Sequence, residues 1–254
     1  MAAASRSEFA AEVASEIGRH TGLERRLSRL LELAAGPAVF TTSFGLEDQV
    51  LTHVIATSSL PIELATLDTG RLFPETISVW AETERRYGLN VRAFAPDAVE
   101  TEGLVARFGA HGFRSSVEAR LACCHIRKVV PLARALEGAG IWITGLRASQ
   151  SRARHEVSFA EWDDAHAVLK VNPLADWSRE AVLDFAKEND VPLNELHSKG
   201  FASIGCAPCT RAILPGEPER AGRWWWENAE EEEWQGKKEC GLHARPRTGA
   251  LEPA

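Results

Sequence analysis

No apolar run in this 254-residue chain approaches the roughly 20 residues that a helix needs to cross a bilayer, so no membrane span is expected. An excess of basic charge is missing too. The formal net charge is −7, without the cationic footprint that a phosphate backbone demands, which argues against a nucleic-acid partner. There is no internal repeat, and the one low-complexity patch, Glu230–Glu233, reads as a solvated face. With 44% apolar and 26% charged residues the composition is globular, which excludes collagen, coiled coil and wholesale disorder. The first twenty residues hold Glu8, Glu12 and Glu16, unlike a signal peptide or an acid-poor transit peptide. The expectation is a soluble, cytoplasmic protein. Cysteines are few, and their number is odd at five, so a disulfide framework is not expected in that compartment.

What is present is more specific. The cysteines fall as Cys123-Cys124, Cys206-x-x-Cys209 and Cys240. Two pairs and a single read as four ligands and one remaining thiol. Five inert core cysteines are the alternative. The Gly/Pro-rich surroundings of Cys206 and Cys209 speak against it.

Apolar residues at helical spacing over 7–34 predict two amphipathic helices, broken near Thr21-Gly22. Strands are predicted at 37–43, 61–67, 91–95 and 141–144. Helices are predicted at 46–58, between Pro74 and Gly88, in two stretches of which the second covers 124–137, and at 178–189. This alternation predicts an α/β fold with a mostly parallel sheet and helices on both faces. Beyond about residue 191 the periodicity fades into an irregular C-terminal segment. We divide the chain into an N-terminal helical segment (1–36), an α/β domain (37–227) and a tail (228–254).

Ligands of open α/β sheets bind beyond the carboxyl ends of the strands. Three segments are expected there: 42–48, with small residues and free amides at a helix start, 68–71, and 145–154, which holds Arg147, Arg152 and Arg154. The triplet Trp224–Trp226 cannot all face one core, so at least one indole is expected to cover another element. His53, His111 and His125 read as core or surface residues rather than ligands.

Eight ordered blocks then carry a resemblance. SFGLED (43–48), LDTGRLFPET (67–76), ACCHIRKVVPLARAL (122–136), GLRASQSRAR (145–154), KVNPLADWS (170–178), SIGCAPCT (203–210), RAGRWWWE (220–227) and KECGLH (238–243) resemble the assimilatory sulfonucleotide reductases. The cysteine pattern is similar to the iron–sulfur, thioredoxin-dependent adenylyl-sulfate (APS) reductase branch. The resemblance implies a fold like the PP-loop ATP pyrophosphatases, the adenine nucleotide alpha hydrolase-like group. Their SGGxDS-type loop is replaced here by Ser43–Asp48, which suits a phosphosulfate rather than an ATP tail.

The resemblance also implies chemistry. Cys240, flanked by Lys237 and Lys238, would attack the sulfur of APS, releasing AMP and leaving an S-sulfocysteine. Thioredoxin or a similar dithiol protein would then release sulfite, within sulfate assimilation and cysteine biosynthesis. Cys123, Cys124, Cys206 and Cys209 would ligate one 4Fe–4S cluster per subunit, with zinc as the rival occupant. Lys128, four residues beyond Cys124, is expected one helical turn on, between cluster and phosphosulfate. Arg154, Arg220 and Arg223 would meet the phosphosulfate, with His243 beside the nucleophile. Ser43, Gly45, Asp48, Leu67, Asp68, Gly70 and Gly145 are candidates for adenosine and phosphate contacts. Arg147 and Arg152 read equally well as surface residues. The tail from about 228 is expected to be mobile until ligand binds. Reduction of the 3′-phosphorylated nucleotide (PAPS), dual specificity, a tRNA-thiolating pyrophosphatase and an iron–sulfur regulator are the alternatives. A homo-oligomer is left open.

Overall fold

A computed structural model describes residues 3–151, 154–228 and 239–243. Six strands form one sheet: β1 (Ala38–Thr42), β2 (Ile62–Leu67), β3 (Arg92–Phe94), β4 (Ile141–Ile143), β5 (Ala160–Asp163) and β6 (Val168–Val171), in the order β3-β2-β1-β4-β6-β5. All neighbours are parallel except the edge pair β5–β6. Eight helices accompany them among the described residues: α1 (Ala3–Gly18), α2 (Leu23–Leu33), α3 (Leu46–Thr57), α4 (Pro74–Tyr87), α5 (Ala98–Phe108), α6 (Val117–Cys124), α7 (Val130–Ala135) and α8 (Arg179–Glu188).

The central strands are buried on both faces because their side chains alternate between two cores. Ala38, Phe40, Ile141, Ile143, Leu169 and Val171 join the core built with α1, α2, α3 and α8. Val39, Ala65, Trp142 and Val168 face the opposite core, closed by Leu132, Ala135 and Leu136. The helix boundaries follow local chemistry. Pro74 begins α4, where its missing N–H is harmless, and Gly88 ends it at φ 60°, a left-handed cap.

One expectation needs correction, and one element was not expected. The span 124–137 is not one α-helix. A single wide turn, His125–Val129, separates α6 from α7, and the Val130 N–H donates to the His125 carbonyl five residues back. The cause is Pro131, which cannot donate to the Arg127 carbonyl and whose ring would crowd it. No strand is predicted from sequence between 160 and 171, where the hairpin β5–β6 lies. Lys170 is buried in β6, its ammonium held by Glu161 of β5 at 2.8 Å and lying over the Trp142 ring.

The N-terminal helices are clamped to the sheet by Arg26, only 2% exposed. Its guanidinium donates to the Asp176 carboxylate at 2.6 and 2.7 Å, to the Pro173 carbonyl at 2.7 Å and to the His20 carbonyl at 2.6 Å. Arg26→Ala would leave two carbonyls without this donor and is expected to lower the unfolding free energy by about 3 kcal/mol in urea denaturation. A loss under about 1 kcal/mol would show that the clamp is dispensable.

Candidate active site

The carboxyl ends of β1, β2 and β4 open into a cavity of about 190 Å³. Its lining includes Ser43, Gly45 and Asp48 from the β1–α3 loop, Leu67 and Thr69 after β2, Lys128, Gly145, Arg154, Arg220, Arg223, and Cys240 with His243. Of the residues singled out from sequence, Asp68 and Gly70 are not brought there. The Asp68 carboxylate accepts from the Gly70 N–H at 2.9 Å, folding a turn that presents Thr69 instead. Arg152 lies outside the described residues.

Asp48 folds back on its own loop. Its carboxylate accepts from the Ser43 N–H at 2.6 Å and from the Ser43 hydroxyl at 2.7 Å. Gly145 allows this approach, since a Cβ there would stand 2.2 Å from an Asp48 oxygen. Burial lifts the Asp48 carboxyl to about 6, opposed only in part by the Ser43 hydrogen bonds.

Behind this loop lies a network that sequence did not disclose. Arg147 is fully buried, not a surface residue. It bonds Glu47 at 2.7 Å and Glu219 at 2.9 and 3.0 Å, and Arg179 reaches the same Glu219 at 3.2 Å. The network ties the β1–α3 loop to the segment that carries Arg220 and Arg223.

A second, small cavity beside the first is lined by Cys123, Cys124, Cys206 and Cys209. Arg71, Arg120, Arg127, Lys128 and Arg223 line it as well. Thr69 accepts at its carbonyl from Arg127 at 2.6 Å and meets the Cys206 sulfur through its hydroxyl at 3.4 Å. The Trp224 N–H donates to the Cys209 carbonyl at 3.2 Å, and the Arg120 and Arg223 guanidinium groups lie over the Trp224 ring. That indole is the buried member of the triplet, while Trp226 packs edge-on against Phe113. Burial pushes the Cys124 thiol up to about 12 and the Cys209 thiol up to about 11. Cys206 is driven down instead: burial opposes its ionisation, but Lys128, the Thr69 hydroxyl and two arginines outweigh it. Lys128 itself is raised; burial would lower it, but Cys206, Cys240 and Cys124 prevail.

Of the expected mobile tail, 229–238 and 244–254 lie outside the described residues. Glu239–His243 is seated in the large cavity, with Cys240 buried beside the cysteine pairs. The His243 ring stacks on Trp142, centroids 5.4 Å apart and 19° from parallel. Burial, together with the Lys170 and Arg154 charges, drives the His243 imidazole well below its usual range. Glu239, not singled out from sequence, is held by Arg154 at 2.8 and 3.0 Å and by Arg220 at 3.4 Å. Burial would raise its carboxyl, but Arg220 and Arg154 bring it down to about 2. Burial and the Arg154 charge lower Arg220 to about 10. The one available signal for Glu239 was its position beside Cys240.

The arrangement brings together a buried sulfur, a row of cations and a thiol-lined compartment next door. Residues 37–212 match the phosphoadenosine phosphosulfate reductase domain family. The adenosine 5′-phosphosulfate reductase of Agrobacterium fabrum is 54% identical over 221 residues, covering 87% of this chain and 82% of the relative. That of Allochromatium vinosum is 52% identical over 219 residues, 85% of this chain and 83% of the relative. The crystal structure of phosphoadenylyl-sulfate reductase from Candida auris, a phosphate complex, superposes with a TM-score of 0.66 at 25% identity, covering 80% of this chain and 95% of that one. Yeast FAD synthetase shares the fold alone, with a TM-score of 0.51 at 15% identity over 84% of this chain and 77% of that one. Among the described residues no helix is long and apolar enough to cross a membrane.

The Asp48 environment yields a pH prediction. Its folded value of about 6 lies above the ordinary 3.8, so its contribution is most favourable below the ordinary value and is lost as pH rises through 6. Relative to Asp48→Asn, the wild-type protein should lose up to about 3 kcal/mol of unfolding free energy between pH 4 and pH 7. Paired denaturant titrations would show this; a pH-independent difference would contradict it.

Proposed function

The chain belongs to the phosphoadenosine phosphosulfate reductase family, and from that footing we propose that it reduces adenylyl sulfate to sulfite and AMP in sulfate assimilation, through a covalent Cys240 intermediate. The observation that carries this reading is the meeting of Cys240 with Lys128, Arg154, Arg220 and Arg223 in one cavity. The adenylyl form of the substrate is favoured over its 3′-phosphorylated form by the stronger likeness to relatives bearing that name. A pyrophosphatase would have no use for a thiol among phosphate-binding cations.

The residues divide the work. The Cys240 thiolate attacks the sulfur of the phosphate–sulfate anhydride, and the S–O bond to phosphate breaks with its electron pair leaving on AMP. The product on the chain is Cys240–S–SO₃⁻. Lys128 and Arg223 face the developing charge on the leaving phosphate, and Gly205 permits the Arg223 approach, since a Cβ there would stand 2.3 Å from the guanidinium. His243, stacked on Trp142, aligns the Cys240 loop. A thiolate of a dithiol protein such as thioredoxin then attacks the Cys240 sulfur, expelling sulfite, and its second thiol releases the enzyme as the free thiol. Both electrons come from that dithiol.

Cys123, Cys124, Cys206 and Cys209 would hold a 4Fe–4S cluster. Their donor set fits it: four thiols line one compartment, with five cationic side chains to balance the negative charge of a thiolate-ligated cluster. Zinc is the rival occupant, but four sulfurs around one zinc must lie roughly 3.8 Å apart, a spacing that a vicinal cysteine pair does not favour. When bound, the cluster supplies charge and rigidity at the edge of the site rather than electrons. Lys128, at the boundary of both compartments, keeps the orientation set by the wide turn before Pro131.

Mixing the enzyme with adenylyl sulfate and no reductant should yield a sulfonate adduct on the Cys240 peptide alone, read by mass spectrometry. Cys240→Ser should abolish sulfite release while retaining AMP binding; an active Cys240→Ser enzyme would overturn the mechanism. Protein purified without air should be brown, with near-stoichiometric iron and sulfide, and Cys206→Ser should lose both. A colourless, zinc-loaded and active protein would refute the cluster.

A further inference from the structure

The cations of the large cavity are not equally engaged. Among the described residues, Lys128 and Arg223 make no ion pair with a carboxylate, and the Arg223 Nε is buried without a hydrogen-bond partner. Arg154 and Arg220 are occupied. Both Glu239 carboxylate oxygens are engaged: Oε1 by Arg154 Nε at 2.8 Å, Oε2 by Arg154 Nη2 at 3.0 Å and by Arg220 Nη2 at 3.4 Å. The Glu239 side chain is only 20% exposed, and its backbone carbonyl accepts from the buried Arg120 at 3.1 Å. A planar carboxylate received side-on by a guanidinium is the geometry in which arginine also takes a phosphate or sulfate. Oxyanions of a phosphosulfate brought beside this carboxylate would meet a like charge at short range in a largely buried site.

We propose that Glu239 is a resident counter-anion which occupies part of the substrate's anion seat and which the substrate's oxyanions must displace from Arg154 and Arg220. Glu239 therefore sets the affinity for the nucleotide's phosphate. Because it is joined to Cys240 by one peptide unit, its departure also releases the nucleophile's segment from Arg154 and Arg220, while the Arg120 bond to its carbonyl stays in place. Glu239 is a positioning residue: it acts through the arginines and through its neighbour and takes no part in bond-making. This deepens, and rests on, the sulfonucleotide reading above.

The test is calorimetric titration of the anaerobic holoenzyme with AMP and, separately, with adenosine, which lacks the phosphate. Glu239→Gln should bind AMP at least about tenfold more tightly than wild type, the scale of one charge-assisted contact regained, with adenosine binding unchanged. Glu239→Asp, which keeps the charge, should stay near wild type. AMP binding that is unchanged or weakened in Glu239→Gln would overturn the proposal, since a carboxylate that merely anchors the tail predicts weakening. Equal tightening for AMP and adenosine would overturn it too, because the competition must be for the anion. The outcome is separable from that of the parent reading: the wild-type sulfonate adduct on Cys240 forms or fails to form whatever the Glu239 variants do.

Discussion

An acidic chain gathers positive charge at one edge of its sheet, and that charge must be answered from within. Arg120, Arg127, Lys128, Arg154, Arg220 and Arg223 converge on two adjoining compartments in a protein of net charge −7. Such a group is stable only with anions or polarisable donors facing it. The thiols meet it on one side. The Glu239 carboxylate meets it on the other, and Glu47 and Glu219 neutralise Arg147 directly behind. The chemistry of the site is thus a matter of which anion occupies a fixed set of cations at a given moment.

The scaffold that fixes those cations was largely legible in the sequence. Apolar alternation marked β1 to β4, and Pro74 and Gly88 marked the ends of α4 by restricting backbone geometry locally. The hairpin β5–β6 was not legible, because a lysine at position 170 argues against a buried strand until its cross-strand partner Glu161 and the Trp142 face are known. The site divides in the same way. Motif residues such as Ser43, Asp48, Arg154 and Cys240 come together as their shared edge of the sheet implies. Asp68 and Gly70 do not, since a local turn consumes the polar groups that made them candidates. Arg147 and Glu239 were misjudged or overlooked because a charge in sequence looks solvated until its counter-ion, many residues away, is known.

The two cores have different duties. The larger one buries α1 and α2 against β4 and β6 and is locked by Arg26, far from the chemistry. The smaller one ends at Trp142, whose ring carries His243 on one contact and Lys170 on another. Packing on that face therefore reaches directly to the segment that carries Cys240.

The wide turn between α6 and α7 amounts to one residue more than a regular helix would hold. Each residue advances a regular helix by about 100°, but the wide turn takes up the extra one locally, so a residue beyond it stands where its predecessor would stand in a regular helix. Ahead of it Arg120 is tied to Glu227; behind it Leu132 and Ala135 are locked in the core. Excising one residue from the turn would return a regular helix with both flanks in place, so what the extra residue changes is which side chains within 125–129, Lys128 among them, point toward the two compartments.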